Sequence, residues 1–191
     1  MSEYLHSAAF WMWSVGVTLV FGGAISIWNV LIGLRNDIRR AWANVDVILQ
    51  QRHDEIGNLV AAVRDYMTYE QKLLIDVTET RNRLASAHSV SEKAGHDRRL
   101  RSGVRTLMAT IETYPDVKAN HLVLDLMRRI SELENVLADR REMYNSTVTE
   151  YNTSIAQFPM LLVSRPLAFT PEALFEAEDD ARVAPTVKLH G

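Results

Sequence analysis

Residues 7–34, SAAFWMWSVGVTLVFGGAISIWNVLIGL, hold no charged side chain. As a helix this run is roughly 42 Å long, and the apolar core of a bilayer takes about 20 residues. The pattern predicts a membrane-spanning helix with length left over. From Arg35 onward, apolar residues recur every three or four positions instead. Ile38, Trp42, Val45, Leu49, Ile56, Val60 and Val63 fall on one helical face. A second helix is predicted from near Glu70, carrying Leu73, Leu74, Val77 and Leu84. A third carries Leu100, Val104, Leu107, Ile111 and Tyr114. The fourth and longest carries Leu122, Leu126, Ile130, Leu133, Leu137, Tyr144, Val148, Tyr151, Ile155 and Phe158. No stretch alternates in the manner of a strand.

Breaks between these segments are marked by capping residues. The first two helices separate near residues 66–69, where Thr68 is a candidate cap. Ser89 or Ser91 can cap the third helix, and Pro115 ends it, leaving Asp116 to cap the fourth. No breaker lies between Leu34 and Ile56, so the first amphipathic helix should continue directly from the span. Proline is absent before Pro115. Short connections between helices with apolar faces predict an all-α fold: an N-terminal transmembrane helix continuing into an antiparallel up-down-up-down four-helix bundle. The chain divides as residues 1–34, leader and transmembrane helix; 35–158, bundle; and 159–191, a tail first apolar and then acidic.

Charge sets the expected orientation. The leader MSEYLH has no Lys or Arg, whereas Arg35, Arg39 and Arg40 follow the span. The positive-inside rule places the bundle in the cytoplasm and the N-terminus outside, in a bacterial inner membrane. A cleaved signal peptide would need a basic leader and a shorter apolar core. Trp11, Trp13 and Trp28 lie towards the two ends of the run, where indole rings favour headgroups.

Composition narrows the chemistry. The net charge is −3 with both signs interspersed, so no basic stripe points to nucleic acid. There is no cysteine, which excludes disulfides and thiol catalysis. No cofactor or metal site is expected. His53, Asp54 and Glu55 are consecutive on a helix and diverge by about 100° each, so they cannot converge on one ion. His121 and Asp125 do face together but make only two ligands, as an exposed pair. Asn44, Asp46, Asn58, Asn145 and Asn152 adjoin apolar stripes and are expected to be hydrogen-bonded pins of helix register where buried. Ser14, Thr18, Gly22 and Ser26 recur every four residues and form a ridge suited to close helix contact within the membrane.

Several blocks in order resemble the LemA family of bacterial membrane proteins. They are Leu34-Arg35-Asn36, Ala41-Trp42-Ala43-Asn44-Val45-Asp46-Val47, Arg52-His53-Asp54 and Asn58-Leu59-Val60. Then come Tyr114-Pro115-Asp116-Val117-Lys118-Ala119-Asn120, Arg141, Tyr144-Asn145, and Glu150-Tyr151-Asn152 with Phe158-Pro159. Gly57 departs from the family, which usually has proline there; either residue weakens a helix, so a bend near residues 56–58 is expected. The resemblance implies an N-terminal span followed by an antiparallel helical bundle. It implies no reaction. It associates relatives with membrane metalloproteases of quality control and, in one branch, with magnetosome membranes.

Within the Tyr114–Asn120 loop, Lys118 and Asn120 are not needed to stop or start a helix, which leaves them for a partner contact. The apolar tail, with Phe158, Leu161, Leu162, Leu167 and Phe169, can lie on the bundle or on the membrane surface. Beyond it Glu176, Glu178, Asp179 and Asp180 form an acidic end expected to hang free. The function expected is a membrane-tethered scaffold or adaptor, not an enzyme. Its partner would be a second copy or another membrane protein, such as a membrane metalloprotease. A lipid-interacting or membrane-shaping protein, and an enzyme with an unrecognised site on the bundle, are the rivals.

Overall fold

The computed structural model describes residues 2–175, with side chains from Trp11 onward; the acidic residues Glu176, Glu178, Asp179 and Asp180 lie outside the described part. The described elements are all helices: α1 (Ser2–Val63), α2 (Gln71–Ser86), α3 (Val90–Ile111), α4 (Pro115–Lys118), α5 (His121–Ala156) and α6 (Leu161–Ser164). The charge-free run and the first amphipathic segment are one helix, α1, as the lack of a breaker predicts. It remains α-helical through Gly57. Within the described residues the chain forms two compact units, 2–43 with Asn145–Glu172, and Asn44–Tyr144 with 173–175.

In the second unit the apolar stripes meet as their spacing requires. Val45, Leu49, Ile56, Leu59, Val60 and Val63 of α1 are buried, as are Leu74, Val77 and Leu84 of α2. Leu100, Val104, Leu107 and Ile111 of α3 and Val123, Leu126, Ile130, Leu137 and Tyr144 of α5 complete the core. α2 and α3 approach closely at Gly103, where a Cβ would lie 3.2 Å from Val77 Cγ2.

Helix starts follow local hydrogen bonding, and two differ from expectation. Ser89 caps α3 in a capping box: its Oγ accepts from Glu92 N–H, and Glu92 Oε2 accepts from Ser89 N–H. The Ser89 N–H, then the His88 N–H, hold the Glu92 carboxyl below its usual range. Thr68 does not cap α2; the helix starts after Glu70 without a side-chain cap, and buried Met67 holds the turn. Nor does Asp116 cap the fourth long helix. Pro115 opens the short α4 instead, with Asp116 in its first turn. Proline is suited to a first helical position because its φ is already helical and it has no N–H to leave unpaired. Asn120 Oδ1 then accepts from Leu122 N–H at 3.0 Å to start α5.

The buried stripe of α5 also departs from expectation, at its ends and at Leu133. Leu122 is exposed and Val123 takes its place, Leu133 is only half-buried, and Phe158 lies beyond the helix and is 77% exposed.

The first unit is built from the later part of the charge-free run, the end of α5, α6 and the segment after it. Leu31, Ile38 and Ala41 of α1 are buried, with Val148, Tyr151 and Ile155 of α5 and Ser164 of α6. Tyr151 Oη donates to Thr170 O at 3.1 Å. Asn152 both donates to Glu172 O and accepts from Glu172 N–H, each at 2.9 Å. Ser164 Oγ donates to Ile155 O at 2.8 Å. The Trp28 and Phe169 rings meet edge to face, 5.5 Å apart.

Candidate functional site

The most unusual chemistry in the structure is a group of charged side chains inside the second unit. α1 supplies Arg52, which falls in its apolar stripe between Leu49 and Ile56. α3 supplies Asp97 and Arg101, four residues apart and hence on one face. α5 supplies Glu134 and Arg141, two helical turns apart. Arg52 Nη1 donates to Asp97 Oδ1 at 2.6 Å and Nη2 to Glu134 Oε2 at 2.8 Å. Asp97 Oδ2 accepts from Arg101 Nη2 at 3.0 Å and from Arg141 Nη2 at 2.8 Å. Arg101 Nε lies 2.7 Å from Glu134 Oε1. On its other side Arg141 stacks over the Phe175 ring, 5.2 Å from its centroid. Tyr144 Oη donates to Ala173 O, so the backbone next to that ring is also held.

Withdrawing five charges from water costs several kcal/mol per ion, and only close charge-assisted hydrogen bonds offset it. Here Asp97 accepts from three arginines. Burial pushes the Arg141 guanidinium down, opposed chiefly by Asp97. An arginine stays charged even so. What the arrangement can do is fix α1, α3 and α5 at one relative register.

The expected polar pins are placed elsewhere. Asn44 and Asn58 are exposed, and Asp46, Asn145 and Asn152 are half-buried, so none of the five is a buried pin. Asp46 instead pairs with Lys93 of α3, while Asn152 clamps Glu172. Polar side chains this buried are Arg52, Asp97, Arg101 and Ser164 among the described residues. Sequence reasoning missed the first three. The available signal was a charge in phase with an apolar stripe: Arg52 with Leu49 and Ile56, Asp97 with Ala94 and Leu100.

Other candidates resolve as follows. His53 is half-buried, and its Nδ1 has no hydrogen-bond partner. Burial, then the nearby Arg81 guanidinium, push its imidazole below the ordinary 6.5. Arg81 Nη1 donates to the His53 carbonyl at 3.3 Å and lies over Gly57, where a Cβ would overlap it. His121 and Asp125 are both exposed. Among the described residues no group of three or more His, Cys, Asp or Glu side chains could hold a metal ion. Lys118 is exposed, but Asn120 is not spare, because it caps α5. Ser14, Thr18, Gly22 and Ser26 are all exposed along α1. Thr18 Oγ1 donates to Ser14 O, and nothing lies within 4 Å of where a Gly22 Cβ would be.

Several known proteins are similar to this chain in sequence. Magnetosome protein MamQ 2 of Paramagnetospirillum magneticum is 23% identical over 158 residues, covering 69% of this chain and 58% of that protein. Magnetosome protein MamQ of Magnetospirillum gryphiswaldense is 21% identical with the same coverage. The chain thus spans less than two thirds of the length of these magnetosome relatives. Protein LemA of Metamycoplasma hominis is 24% identical over 159 residues, covering 81% of this chain and 71% of the relative. The model of the LemA family matches residues 41–189, which include most of the buried α1 stripe. With more than half of its length matched, the chain belongs to the LemA family.

Proposed function

We propose that this chain is a membrane-anchored helical scaffold or adaptor that works through protein–protein contact. The observation that carries the reading is the surface of α1. Trp11, Trp13, Leu19, Val20 and Phe21 are each at least 66% exposed, and they occupy several faces of one helix. A helix apolar all round is covered by lipid or protein, not by water. Its length and composition suffice to cross a membrane. Membership of the LemA family supports a membrane-associated helical protein and brings no reaction with it.

In this reading Arg35, Arg39 and Arg40 hold the bundle at the cytoplasmic face of a bacterial inner membrane, with the N-terminus outside. The short connections after α1, α2 and α3 support an antiparallel up-down-up-down four-helix bundle. The partner is a second copy or another membrane protein, with a membrane metalloprotease as the family-level candidate, and contact runs through the Ser14–Thr18–Gly22–Ser26 ridge. The reading is non-enzymatic: the chain has no cysteine, no HExxH and no glycine-rich phosphate loop.

Cross-linking in native membranes tests this. Gly22→Ile keeps the span hydrophobic but bars close approach. Cross-linked product, with itself or with a membrane protein, should fall at least several-fold relative to Gly23→Ile, which lies on another face. Equal cross-linking in both variants and the parent would remove the span from the contact. No cross-linked product at all would contradict the scaffold.

A further inference from the structure

We infer that α6 and its flanks form a second membrane contact, lying in the headgroup zone on the Arg35 side of the bilayer. The inference rests on the reading of α1 as a span, and all the residues it uses belong to the first unit.

The position of this segment is fixed at two levels along α1. Arg35, the first charge after the apolar run, lies 3.9 Å from Glu172. Trp28, two helical turns and about 10 Å nearer the middle of the run, packs edge-on against Phe169. From Glu172 to Phe169 the chain therefore climbs from the first charge into the charge-free part of α1. Phe169 N–H donates to Ser164 O at 3.0 Å, which ties the end of α6 to the same level. The charge-free run is longer than the roughly 20 residues a bilayer core takes. Trp28 and the turns after it thus fall in the surplus, at the depth where indole rings settle.

The outward residues of this segment are apolar. Phe158 is 77%, Leu162 64% and Leu167 48% exposed, whereas Ser164 faces inward and is buried. Water would not select that surface in a segment already held down by Tyr151, Asn152 and Ser164. Its composition matches its level. Between Glu150 and Glu172 the single charged residue is Arg165, which is exposed. One cation among apolar side chains suits the boundary between acyl chains and anionic headgroups, where interfacial segments sink about 5–10 Å. The occupant is the bilayer itself, because the patch is continuous with the level at which the span leaves it.

The native chain has no cysteine, so single cysteines can be introduced into the full-length protein and labelled with the fluorophore NBD. Phe158→Cys and Leu162→Cys probe the patch. Leu19→Cys probes the span, and Tyr69→Cys, in the exposed connection between α1 and α2, is the aqueous control. The proteins are placed in vesicles of phosphatidylcholine with phosphatidylglycerol. Labels at 158 and 162 should emit at shorter wavelength than at 69 and be quenched best by a spin label near the headgroup. The label at 19 should be quenched best by a deep one. If 158 and 162 behave as 69 while 19 stays deep, the patch faces water and the inference is overturned. Shielding of 158 and 162 from lipid quencher and aqueous iodide alike would overturn it too, in favour of a second protein chain. If 19 itself behaves as 69, the span reading fails and takes this inference with it.

Discussion

Arg52 of α1 and Asp97 of α3 meet 2.6 Å apart with side chains only 2% and 1% exposed, although 45 positions separate them in sequence. Such a pair is weak grounds for high stability, since both ions have lost their hydration. It is strong grounds for a unique register, because a slip of either helix by one residue would strand a buried charge. Removing one partner should therefore be far worse than removing both. Asp97→Ala leaves Arg52, Arg101 and Arg141 facing Glu134 alone and should cost about 3–5 kcal/mol in denaturant unfolding. Replacing Arg52 and Asp97 together by Met and Leu should cost distinctly less. Arg83→Ala, which breaks an exposed pair with Glu79, should cost about 0–1 kcal/mol. Equal losses for Asp97→Ala and Arg83→Ala would show that the cluster does not organise the helices.

Gly57 and Arg81 are coupled in a way that a double-mutant comparison can read. Alanine at 57 gains about 1 kcal/mol of helix propensity. It also displaces Arg81 from the His53 carbonyl, a hydrogen bond worth about 0.5–1.5 kcal/mol. Gly57→Ala alone should thus stay within about 1 kcal/mol of the parent. In an Arg81→Ala background the same change should stabilise by up to about 1 kcal/mol. Identical effects in both backgrounds would mean that Arg81 does not occupy the space beside Gly57.

His53 gives the fold a pH dependence of known sign. Its folded pKa is depressed below 6.5 by burial and by Arg81. The neutral ring is thus the form the fold accepts, and its contribution is present above the unfolded value. That contribution is lost as pH falls from 6.5 through the folded pKa, because the unfolded state then binds more protons. Urea midpoints of the full chain in detergent should fall across that window, and the fall should be shallower in His53→Gln. Parallel curves for the two proteins would assign the dependence to other groups.

Much of this architecture is legible in residue order, and the exceptions have physical causes. The charge-free run and the absence of a breaker after Leu34 specify α1, and Ser89 and Ser91 bracket the start of α3, because both signals are local; the capping box with Glu92 is what selects Ser89. α4 was illegible because Pro115 suits a helix start as well as a helix stop, and only the observed Asn120 bond to Leu122 N–H decides between them. The phase of α5 slipped at its ends because it runs from His121 to Ala156, and small departures from the ideal period accumulate over such a length. The Arg52 cluster needs partners from three helices, and no local pattern names them. The attachment of the tail rests on side-chain bonds from Tyr151 and Asn152 to backbone, which any residue type at 170 and 172 would satisfy.

Topology is the most direct test of a chain anchored by α1 with its helical body in the cytoplasm. Tyr69 lies in the connection between α1 and α2 and is 92% exposed. Tyr69→Cys would be the single thiol in the protein. The variant should sediment with membranes, resist carbonate extraction, and escape an impermeant maleimide in intact cells until they are permeabilised. Ready labelling in intact cells would reverse the orientation, and recovery in the soluble fraction would contradict the anchor itself.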